Sequence, residues 1–243
     1  MLDVADTLSS KPFAVVAHRG ASGYEPENTL RAFKRALDMK VDMIEADVRL
    51  SKDGIPVVIH DESLDRTAGV HGFVKDYTAD ELRRFDVGLG EKIPLLSEAL
   101  EFVKDRICFI LEVKEVEASI PSLKMVEEMD MIEQILFASF HPEALRIISN
   151  SNREAYLCLI YSKPGRYVFE ARNLGCIAVA PHHRLLSERM VEIAHNLNLK
   201  LKVNAWTIDD IETANKIVKM GVDAITTNKP DIIMRLKESY DKI

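Results

Sequence analysis

Residues 43–60 are MIEADVRLSKDGIPVVIH, and this stretch decides the fold that we predict. Met43–Val48 and Pro56–Ile59 are apolar runs of the kind that form buried strands. The linker between them is too short for a crossover helix and contains Asp53-Gly54, a dipeptide typical of tight hairpin turns. We therefore predict that Pro56–Ile59 runs back antiparallel to Met43–Val48.

Strand-like runs alternate with amphipathic helical patterns on both sides of this hairpin. Near-continuous apolar strands separated by helices indicate a parallel sheet that helices cover on its faces. The length of 243 residues suits a TIM-type (β/α)₈ barrel, which typically takes about 250. The other predicted strands are Phe13–Ala17, Ile107–Val113, Ile135–Ser139, Ala155–Ile160, Ile177–Ala180, Lys200–Asn204 and Ala224–Thr227. Eight of the runs should form the barrel, with Pro56–Ile59 as an extra arm.

Helix-start signals support this assignment. Ser97, Ser187 and Thr207 precede or open helical patterns with acidic residues in the first turn. The predicted helices are Thr29–Met39, Ser97–Lys104, Pro142–Asn150, Ser187–Asn198, Asp209–Met220 and Asp231–Tyr240.

The segment 61–94 interrupts the alternation. It is polar and turn-rich, with a short helix predicted at Thr78–Phe85. A segment of this length after a barrel strand is typically an insertion that shapes a site. No linker or internal repeat divides the chain, so we predict one domain over residues 1–243, an irregular barrel with an arm and an insertion.

Composition excludes several classes of protein. A net charge of −7 argues against the basic stripe of a nucleic-acid-binding domain. No apolar run reaches the roughly 18 residues that span a membrane, and residues 1–11 lack a secretory signal pattern. Cys108, Cys158 and Cys176 lie in apolar surroundings without ligand spacing, which favours buried, reduced thiols. We expect a cytoplasmic protein with no nucleic-acid partner and no stable membrane insertion; its oligomeric state is left open.

Charged residues occupy the predicted C-terminal strand ends, where barrel enzymes carry their functional groups. Glu45 and Asp47 point to the same face of their strand, and Glu112 reaches the same space from another strand. Three carboxylates repel one another unless a cation lies between them, and such oxygen ligands suit Mg²⁺, Ca²⁺ or Mn²⁺ better than zinc. The alternative is that Glu45 and Glu112 form buried ion pairs with Arg19 and Lys114, a poor source of stability.

Two histidines should join these carboxylates. His18 follows the first strand, and the hairpin carries His60 back to the same cluster. A lone histidine there would be structural more often than not, but a pair can exchange protons as general acid and general base. Arg19 and Lys114 then supply positive charge for a phosphate group. A metal, two cations and two proton carriers match the needs of phosphoryl transfer.

Five segments resemble the glycerophosphodiester phosphodiesterase family, in the family's order and over nearly the whole chain, from Val15 to Asp231. They are AHRGASGYEPENTLRAF, IEADVRLSKDGIPVVIHDESLDRTAG, FILEVK, VNAWTIDD and GVDAITTNKPD. The resemblance implies an irregular (β/α) barrel. It also implies metal-dependent hydrolysis of a small-molecule phosphodiester to glycerol 3-phosphate and an alcohol, with water or the substrate's own glycerol hydroxyl as nucleophile.

The resemblance also implies roles for individual residues. His18 and His60 match the acid–base pair, and Arg19 and Lys114 match phosphate contacts. The ligands of one divalent cation, Mg²⁺ or Ca²⁺ with Mn²⁺ as an alternative, are implied to be Glu45, Asp47 and Glu112. Trp206 matches a tryptophan near the alcohol part of the substrate, with packing at the barrel mouth as the alternative.

Some positions depart from the family pattern or have a second interpretation. Glu27 and Asn28 match a signature beside the site, but Asn28 or Thr29 is interpreted as a helix N-cap. Residues 86–96 lack the aromatics usual there, Glu115 replaces a usual proline, and His182 and His183 are interpreted as surface residues.

Three rival functions stay open at this point. One is the same chemistry on lysophospholipids or another phosphodiester, for which Phe73, Tyr77 and Phe85 would line an apolar groove. Another is a binding barrel without catalysis, against which the complete set of carboxylates and histidines argues. A lyase or aldolase is disfavoured because no Schiff-base lysine stands out.

Overall fold

The computed structural model describes residues 2–196 and 198–240 and shows a closed barrel of eight parallel strands surrounded by helices. The strands are β1 (Ala14–Ala17), β2 (Met43–Leu50), β3 (Pro56–Val58), β4 (Cys108–Val113), β5 (Ile135–Ser139), β6 (Tyr156–Tyr161), β7 (Ala178–Pro181), β8 (Lys202–Ala205) and β9 (Ala224–Thr227). All but β3 belong to the barrel, which β9 closes by pairing in parallel with β1. The predicted fold class is confirmed, and the predicted strand ends are correct to within two residues.

The arm predicted from the Asp-Gly turn is β3. It pairs antiparallel with the outer end of β2, with Val48 opposite Val58 and Leu50 opposite Pro56. The backbone N–H of Ile59 then donates to the carbonyl of Asp47 at 3.0 Å. This hydrogen bond carries the chain back along β2 and sets His60 beside the carboxylates.

The helices are α1 (Val4–Thr7), α2 (Leu30–Asp38), α3 (Asp65–Ala68), α4 (Ala79–Leu82), α5 (Leu96–Val103), α6 (Ser119–Glu128), α7 (Pro142–Ser151), α8 (Tyr167–Asn173), α9 (Glu188–His195), α10 (Ile211–Lys219) and α11 (Pro230–Tyr240). Ser187 is the N-cap of α9, as predicted, and its hydroxyl accepts a hydrogen bond from the N–H of Met190. The helix ends at His195, before the predicted end at Asn198; Leu197 lies outside the described residues.

Two predicted N-caps, Ser97 and Thr207, are wrong. Ser97 lies inside α5, whose N-cap is Leu95, and the Glu98 carboxylate accepts the Leu95 N–H at 2.9 Å. The N-cap of α10 is Asp210 rather than Thr207, because the loop after β8 extends further and only Asp210 reaches an N–H of the first turn, that of Thr213 at 2.8 Å. An N-cap needs a side-chain acceptor within reach of the N–H two or three residues ahead.

Alternate residues along each strand face two different cores, because successive strand side chains point to opposite faces. On β4, Phe109 and Leu111 pack outward against the helices, whereas Cys108 and Ile110 fill the barrel interior. The inward positions of β2 and β4 change along the strands from apolar to acidic. Met43 lies opposite Cys108 at the lower end, and Asp47 lies opposite Glu112 at the upper end. The carboxylates therefore gather at the C-terminal end of the barrel, above an apolar floor.

The insertion forms a small apolar cluster with the arm. Leu64, Val74, Leu82 and Ile93 are buried there together with Val57 of β3. The helix predicted at Thr78–Phe85 is shorter, only α4, with Thr78 as its N-cap. The insertion is thereby fixed to the barrel beside the end of β2.

The cysteines and the helix lengths agree with the sequence. Cys108, Cys158 and Cys176 are buried and form no disulfide. Within residues 2–196 and 198–240, every helix is too short or too polar to cross a membrane.

Candidate active site

The loop after β1 turns sharply and brings a backbone N–H to the carboxylates. Arg19 and Gly20 both adopt positive φ, at +56° and +77°. A Cβ atom on Gly20 would lie 2.6 Å from the backbone of Ala32, so only glycine allows the loop to approach α2 this closely. The turn aims the backbone N–H of Arg19 at Glu45, to whose Oε2 it donates at 2.8 Å.

Glu45, Asp47 and Glu112 form a buried carboxylate cluster. One oxygen of each lies within 4.8 Å of the others, and their residues are 5%, 0% and 7% exposed. Arg19 Nε is 3.2 Å from Asp47 Oδ2. Lys114 Nζ donates to Glu112 Oε1 at 2.5 Å and lies 3.4 Å from Asp47 Oδ1. The ion-pair alternative is thus partly present, although the guanidinium of Arg19 pairs with Asp47 instead of Glu45.

The two cations do not fully compensate the cluster. Burial raises the pKa of Glu45 well above its usual value, and the charges of Asp47 and Glu112 raise it further. Burial likewise raises the pKa of Glu112 to about 7, with Asp47 adding to the shift and Lys114 opposing it. Burial alone would raise the pKa of Asp47, but Lys114 and Arg19 outweigh it, so this pKa is lowered. Desolvation and mutual repulsion therefore disfavour the ionised forms of Glu45 and Glu112, and a cation bound among the carboxylates would oppose both effects.

Two oxygens of the cluster accept no hydrogen bond. Among the described residues, Glu45 Oε1 and Asp47 Oδ1 are buried and accept no hydrogen bond. Buried carboxylate oxygens are normally paired with a donor or a metal. Three hard oxygen donors at one point, two of them with an oxygen that accepts no hydrogen bond, fit a divalent cation such as Mg²⁺ or Ca²⁺.

His18 and His60 border the cluster from two sides. His18 Nδ1 is 2.7 Å from Asn228 Oδ1, and its Nε2 is 4.0 Å from Glu45 Oε2. His60 Nδ1 is 2.6 Å from Asp61 Oδ1. Nε2 of each ring thus remains available for proton transfer. Burial lowers the pKa of His18 to about 4, with Arg19 adding to the effect, and burial also lowers the pKa of His60.

A chain of ion pairs links His60 to the loop after β1. Asp61 Oδ2 accepts from Arg66 Nε at 2.6 Å, and Arg66 donates to both oxygens of Glu27 at 2.7 and 2.8 Å. Glu27 in turn accepts from Arg19 Nη1 at 2.9 Å. The insertion is thereby tied across the site through alternating charges, with Asp61 holding the orientation of the His60 ring.

A cavity of about 260 Å³ opens over these groups. Its polar side carries the histidines, the cations and two of the carboxylates. Its other side is mainly apolar, lined by Ile110, Ala138, Phe140, Cys158, Ile160, Ala180 and Trp206, and the remaining lining residues are Asn204, Thr207 and Thr226. Trp206 Nε1 donates to the carbonyl of Ala180 at 2.8 Å, and its ring meets Phe140 edge to face at 5.6 Å between centroids. Trp206 therefore both packs the barrel mouth and lines the cavity.

The structure brings all the predicted site residues together. Those that line the cavity are His18, Arg19, Glu45, His60, Glu112, Lys114 and Trp206. Asp47 lies fully buried against Arg19 and Lys114.

Of the two residues predicted as possible N-caps of α2, Asn28 and Thr29, the second is the cap. Thr29 is the N-cap of α2, accepting from the N–H of Ala32 at 3.1 Å. Asn28 instead donates from Nδ2 to Asp47 Oδ2 at 2.8 Å. The positive φ of Asn28, +59°, accompanies this placement one residue before the cap.

Three further residues escaped the sequence interpretation. Asn228 contacts His18, Asp61 contacts His60, and Phe140 contacts Trp206. Asp61 follows His60 directly in the chain, so its adjacency was a usable signal. Asn228 is the residue after β9, and the closure of a barrel places the end of the last strand beside the end of the first.

Comparison with known proteins gives one consistent result. Residues 18–232 match the model of the glycerophosphoryl diester phosphodiesterase family. The glycerophosphodiester phosphodiesterase of Caldanaerobacter subterraneus subsp. tengcongensis is 34% identical, over 91% of this chain and 96% of the relative. That of Bacillus altitudinis is 32% identical, over 92% of this chain and 98% of the relative.

Solved structures agree. A phosphodiesterase from Oleispira antarctica, in complex with the product sn-glycerol-3-phosphate, superposes with a TM-score of 0.84 at 30% identity, covering 94% of this chain and 96% of that one. A glycerophosphodiester phosphodiesterase from Thermotoga maritima gives 0.81 at 28% identity, covering 93% and 99%. The chain therefore belongs to the glycerophosphoryl diester phosphodiesterase family.

Proposed function

We propose that the protein hydrolyses glycerophosphodiesters to glycerol 3-phosphate and an alcohol, with a divalent cation. The observation that supports this most is the grouping of two histidines, two cations and the carboxylates of Glu45 and Glu112 on one side of a single cavity, with the third carboxylate, Asp47, buried against the cations. The Oleispira relative holds glycerol 3-phosphate as its product, which fits the same reaction here.

The carboxylate cluster would hold the metal ion. Glu45, Asp47 and Glu112 supply oxygen ligands of the kind that Mg²⁺ and Ca²⁺ prefer, and we propose one of these ions for the site. When bound, the ion supplies electrostatic stabilisation of the charge that builds up on the phosphoryl oxygens.

Phosphate binding and proton transfer are assigned to side chains of the protein. Arg19 and Lys114 bind the phosphate and balance its charge. His18, backed by the neutral amide of Asn228, takes at Nε2 the proton of the nucleophile, which is either water or the glycerol hydroxyl of the substrate. Attack by the hydroxyl first forms a cyclic phosphate, which water then opens to glycerol 3-phosphate. His60 gives a proton to the departing alcohol oxygen, and its hydrogen bond to the Asp61 carboxylate opposes the lowering of the His60 pKa by burial.

The size of the cavity supports small substrates. Its volume of about 260 Å³ lies below the range of roughly 300–1,000 Å³ for pockets that take drug-sized ligands. A glycerol phosphate group with a small alcohol suits such a space better than a long acyl chain. The apolar side should contact the carbon skeleton of the substrate, with Trp206 and Phe140 at the entrance.

The lysophospholipid alternative receives less support. Phe73 is 45% exposed, but the rings of Tyr77 and Phe85 pack edge to face with each other, 5.2 Å between centroids, and both pack against the small cluster of the insertion. One exposed phenylalanine does not make the apolar groove that an acyl chain needs. The reduced thiols suit the cytoplasm, where we propose that the enzyme works.

The reaction is tested by measuring release of glycerol 3-phosphate. Substrates are glycerophosphocholine, glycerophosphoethanolamine and glycerophosphoglycerol, each with Mg²⁺, Ca²⁺ or Mn²⁺ and again with excess chelator. We expect metal-dependent release of glycerol 3-phosphate from at least one of them. With lysophosphatidylcholine, where cleavage of the same bond would give lysophosphatidic acid and choline, we expect no release of choline. A folded, metal-loaded protein that acts only on the lysophospholipid would favour the alternative, and one that acts on neither would overturn the phosphodiesterase assignment.

Arg66 offers a test of the ion-pair chain behind His60. Replacing Arg66 by glutamine leaves Asp61 and Glu27 without their shared cation, so the His60 ring loses its fixed orientation. We expect kcat for glycerophosphodiester hydrolysis to fall about tenfold. Arg83, which pairs with Glu98 in the same region, supplies the matched control: Arg83→Gln should keep wild-type kcat. Equal effects of the two substitutions would contradict a role for the chain.

A further inference from the structure

His18 is hydrogen-bonded to Asn228, and Asn228 is in turn hydrogen-bonded to Asp209. Asn228, directly after β9, places Oδ1 2.7 Å from His18 Nδ1. Asp209, in the loop after β8, accepts hydrogen bonds from Asn228 at both of its carboxylate oxygens. Its Oδ1 accepts the backbone N–H of Asn228 at 2.7 Å, and its Oδ2 accepts from Nδ2 at 2.7 Å.

These contacts fix the direction of the Asn228 amide. An ionised carboxylate only accepts hydrogen bonds, so the NH₂ group of Asn228 must face Asp209 and its oxygen must face His18. An amide oxygen also only accepts, so His18 Nδ1 must carry a proton to meet it. In a neutral imidazole the other nitrogen, Nε2, is then the unprotonated one.

The surroundings keep Asn228 in place. Ser22 Oγ lies 2.9 Å from Asn228 Oδ1 and 2.7 Å from the carbonyl of His18. The N–H of Gly23 donates to the carbonyl of Asn228 at 2.8 Å, and a Cβ atom on Gly23 would come within 2.6 Å of that oxygen. Thr227 Oγ1 donates to Asp209 Oδ1 at 3.0 Å. The loops after β1, β8 and β9 thus all form hydrogen bonds that hold the Asn228 side chain in place.

We propose that Asp209 sets the tautomer of His18 through Asn228, so that Nε2 is kept ready to accept the proton of the nucleophile. Asp209 and Asn228 are positioning residues, since neither lines the cavity. Their effect on catalysis rests on the proposed function, whereas their effect on the tautomer does not.

The isosteric change Asp209→Asn should reverse the tautomer. The oxygen of the new amide is needed for the backbone N–H of Asn228, so its NH₂ group faces the Asn228 side chain. That side chain then turns its oxygen toward residue 209 and its NH₂ toward His18. Nδ1 becomes an acceptor, and the proton moves to Nε2, which can no longer act as a base.

The tautomer is measured by ¹⁵N NMR of the imidazole rings in the metal-free protein at pH 8, where an ordinary imidazole is neutral. The His18 signals are those missing from the spectrum of His18→Gln. We expect Nδ1–H in the wild type and a shift to Nε2–H in Asp209→Asn. If Asp209→Asn does not fold, Asn228→Leu, which removes the acceptor, should abolish the preference for Nδ1–H.

Activity supplies a second readout. Asp209→Asn should lower kcat by about 100-fold, in the range that general acid–base catalysis contributes, with KM for the glycerophosphodiester nearly unchanged. Asp210→Asn is the matched control. It is the same change one residue along, at the N-cap of α10, where asparagine caps equally well, and it should leave tautomer and kcat unchanged.

The outcomes separate this inference from the proposed function. A wild type with the proton on Nε2, or an Asp209→Asn or Asn228→Leu variant that keeps the wild-type tautomer, would overturn the positioning role even in an active enzyme. If Asp209→Asn reverses the tautomer but the wild type hydrolyses no glycerophosphodiester, the positioning role is supported and the proposed function is overturned instead.

Discussion

Replacing His18 or His60 by alanine should slow release of glycerol 3-phosphate by about 10²–10⁴-fold, the contribution typical of general acid–base catalysis. Each ring has Nδ1 engaged and Nε2 available, and each borders the carboxylate cluster. No other described histidine lines the cavity, so neither ring has a substitute within residues 2–196 and 198–240. Both substitutions remove a proton carrier without touching the carboxylates.

The measurement is kcat at saturating substrate and metal. The double variant should be little worse than either single one, because residues that act as a unit have strongly non-additive effects. His71→Ala is the matched control, since His71 is an exposed residue of the insertion. A His18→Ala enzyme that keeps more than about a tenth of wild-type kcat would contradict the role of His18.

Asp47→Asn should abolish both activity and the response to metal. Asp47 is fully buried and contacts both cations of the site, Arg19 and Lys114. The amide keeps the shape of the side chain but removes one negative charge and one strong oxygen ligand. We expect glycerophosphodiester hydrolysis to fall by about 10³-fold or more, because loss of an oriented charge at a phosphoryl site removes transition-state stabilisation directly.

Metal binding is measured separately by thermal unfolding. A ligand at 100 times its Kd stabilises the folded state by about 2.7 kcal/mol. For a chain of this size that corresponds to a rise in Tm of roughly 5–10 °C. The wild type should show this rise with Mg²⁺ or Ca²⁺, and Asp47→Asn should not. Asp80→Asn, an exposed acid in α4, should respond like the wild type. Full activity of the wild type in excess chelator would refute the metal requirement.

Strand positions were predictable because barrel strands are buried on both faces and therefore appear as continuous apolar runs. The N-cap residues of the helices were less predictable than the strands. Ser97 and Thr207 carry good capping side chains, yet the caps are Leu95 and Asp210, since the length of each loop decides which residue meets the first turn. Local sequence favours several neighbouring residues for a cap, and only tertiary packing selects one.

Some residues of the candidate site were likewise predictable from the sequence, and others were not. Glu45, Asp47 and Glu112 were predictable from strand alternation, because a charged residue on a buried face needs a partner. Asn228 was not, because it is 210 residues from His18 and the register that closes β9 on β1 is a property of the whole barrel. Asn28 shows a third case, in which two adjacent residues suit the same cap and only the left-handed backbone at Asn28 sends its side chain to Asp47.

The two sides of the cavity have different consequences for how this enzyme can change over time. Proton transfer and charge balance reside on β1, the end of β2, the arm and β4, whereas small side chains such as Ala138, Cys158 and Ala180 face the cavity from β5, β6 and β7. A substitution on β5–β7 alters the room left for the alcohol while the spacing of the reacting groups stays the same. Single substitutions on β5–β7 can therefore change which alcohol the enzyme prefers, and new diesters can be accommodated while the reacting groups on the opposite side stay unchanged.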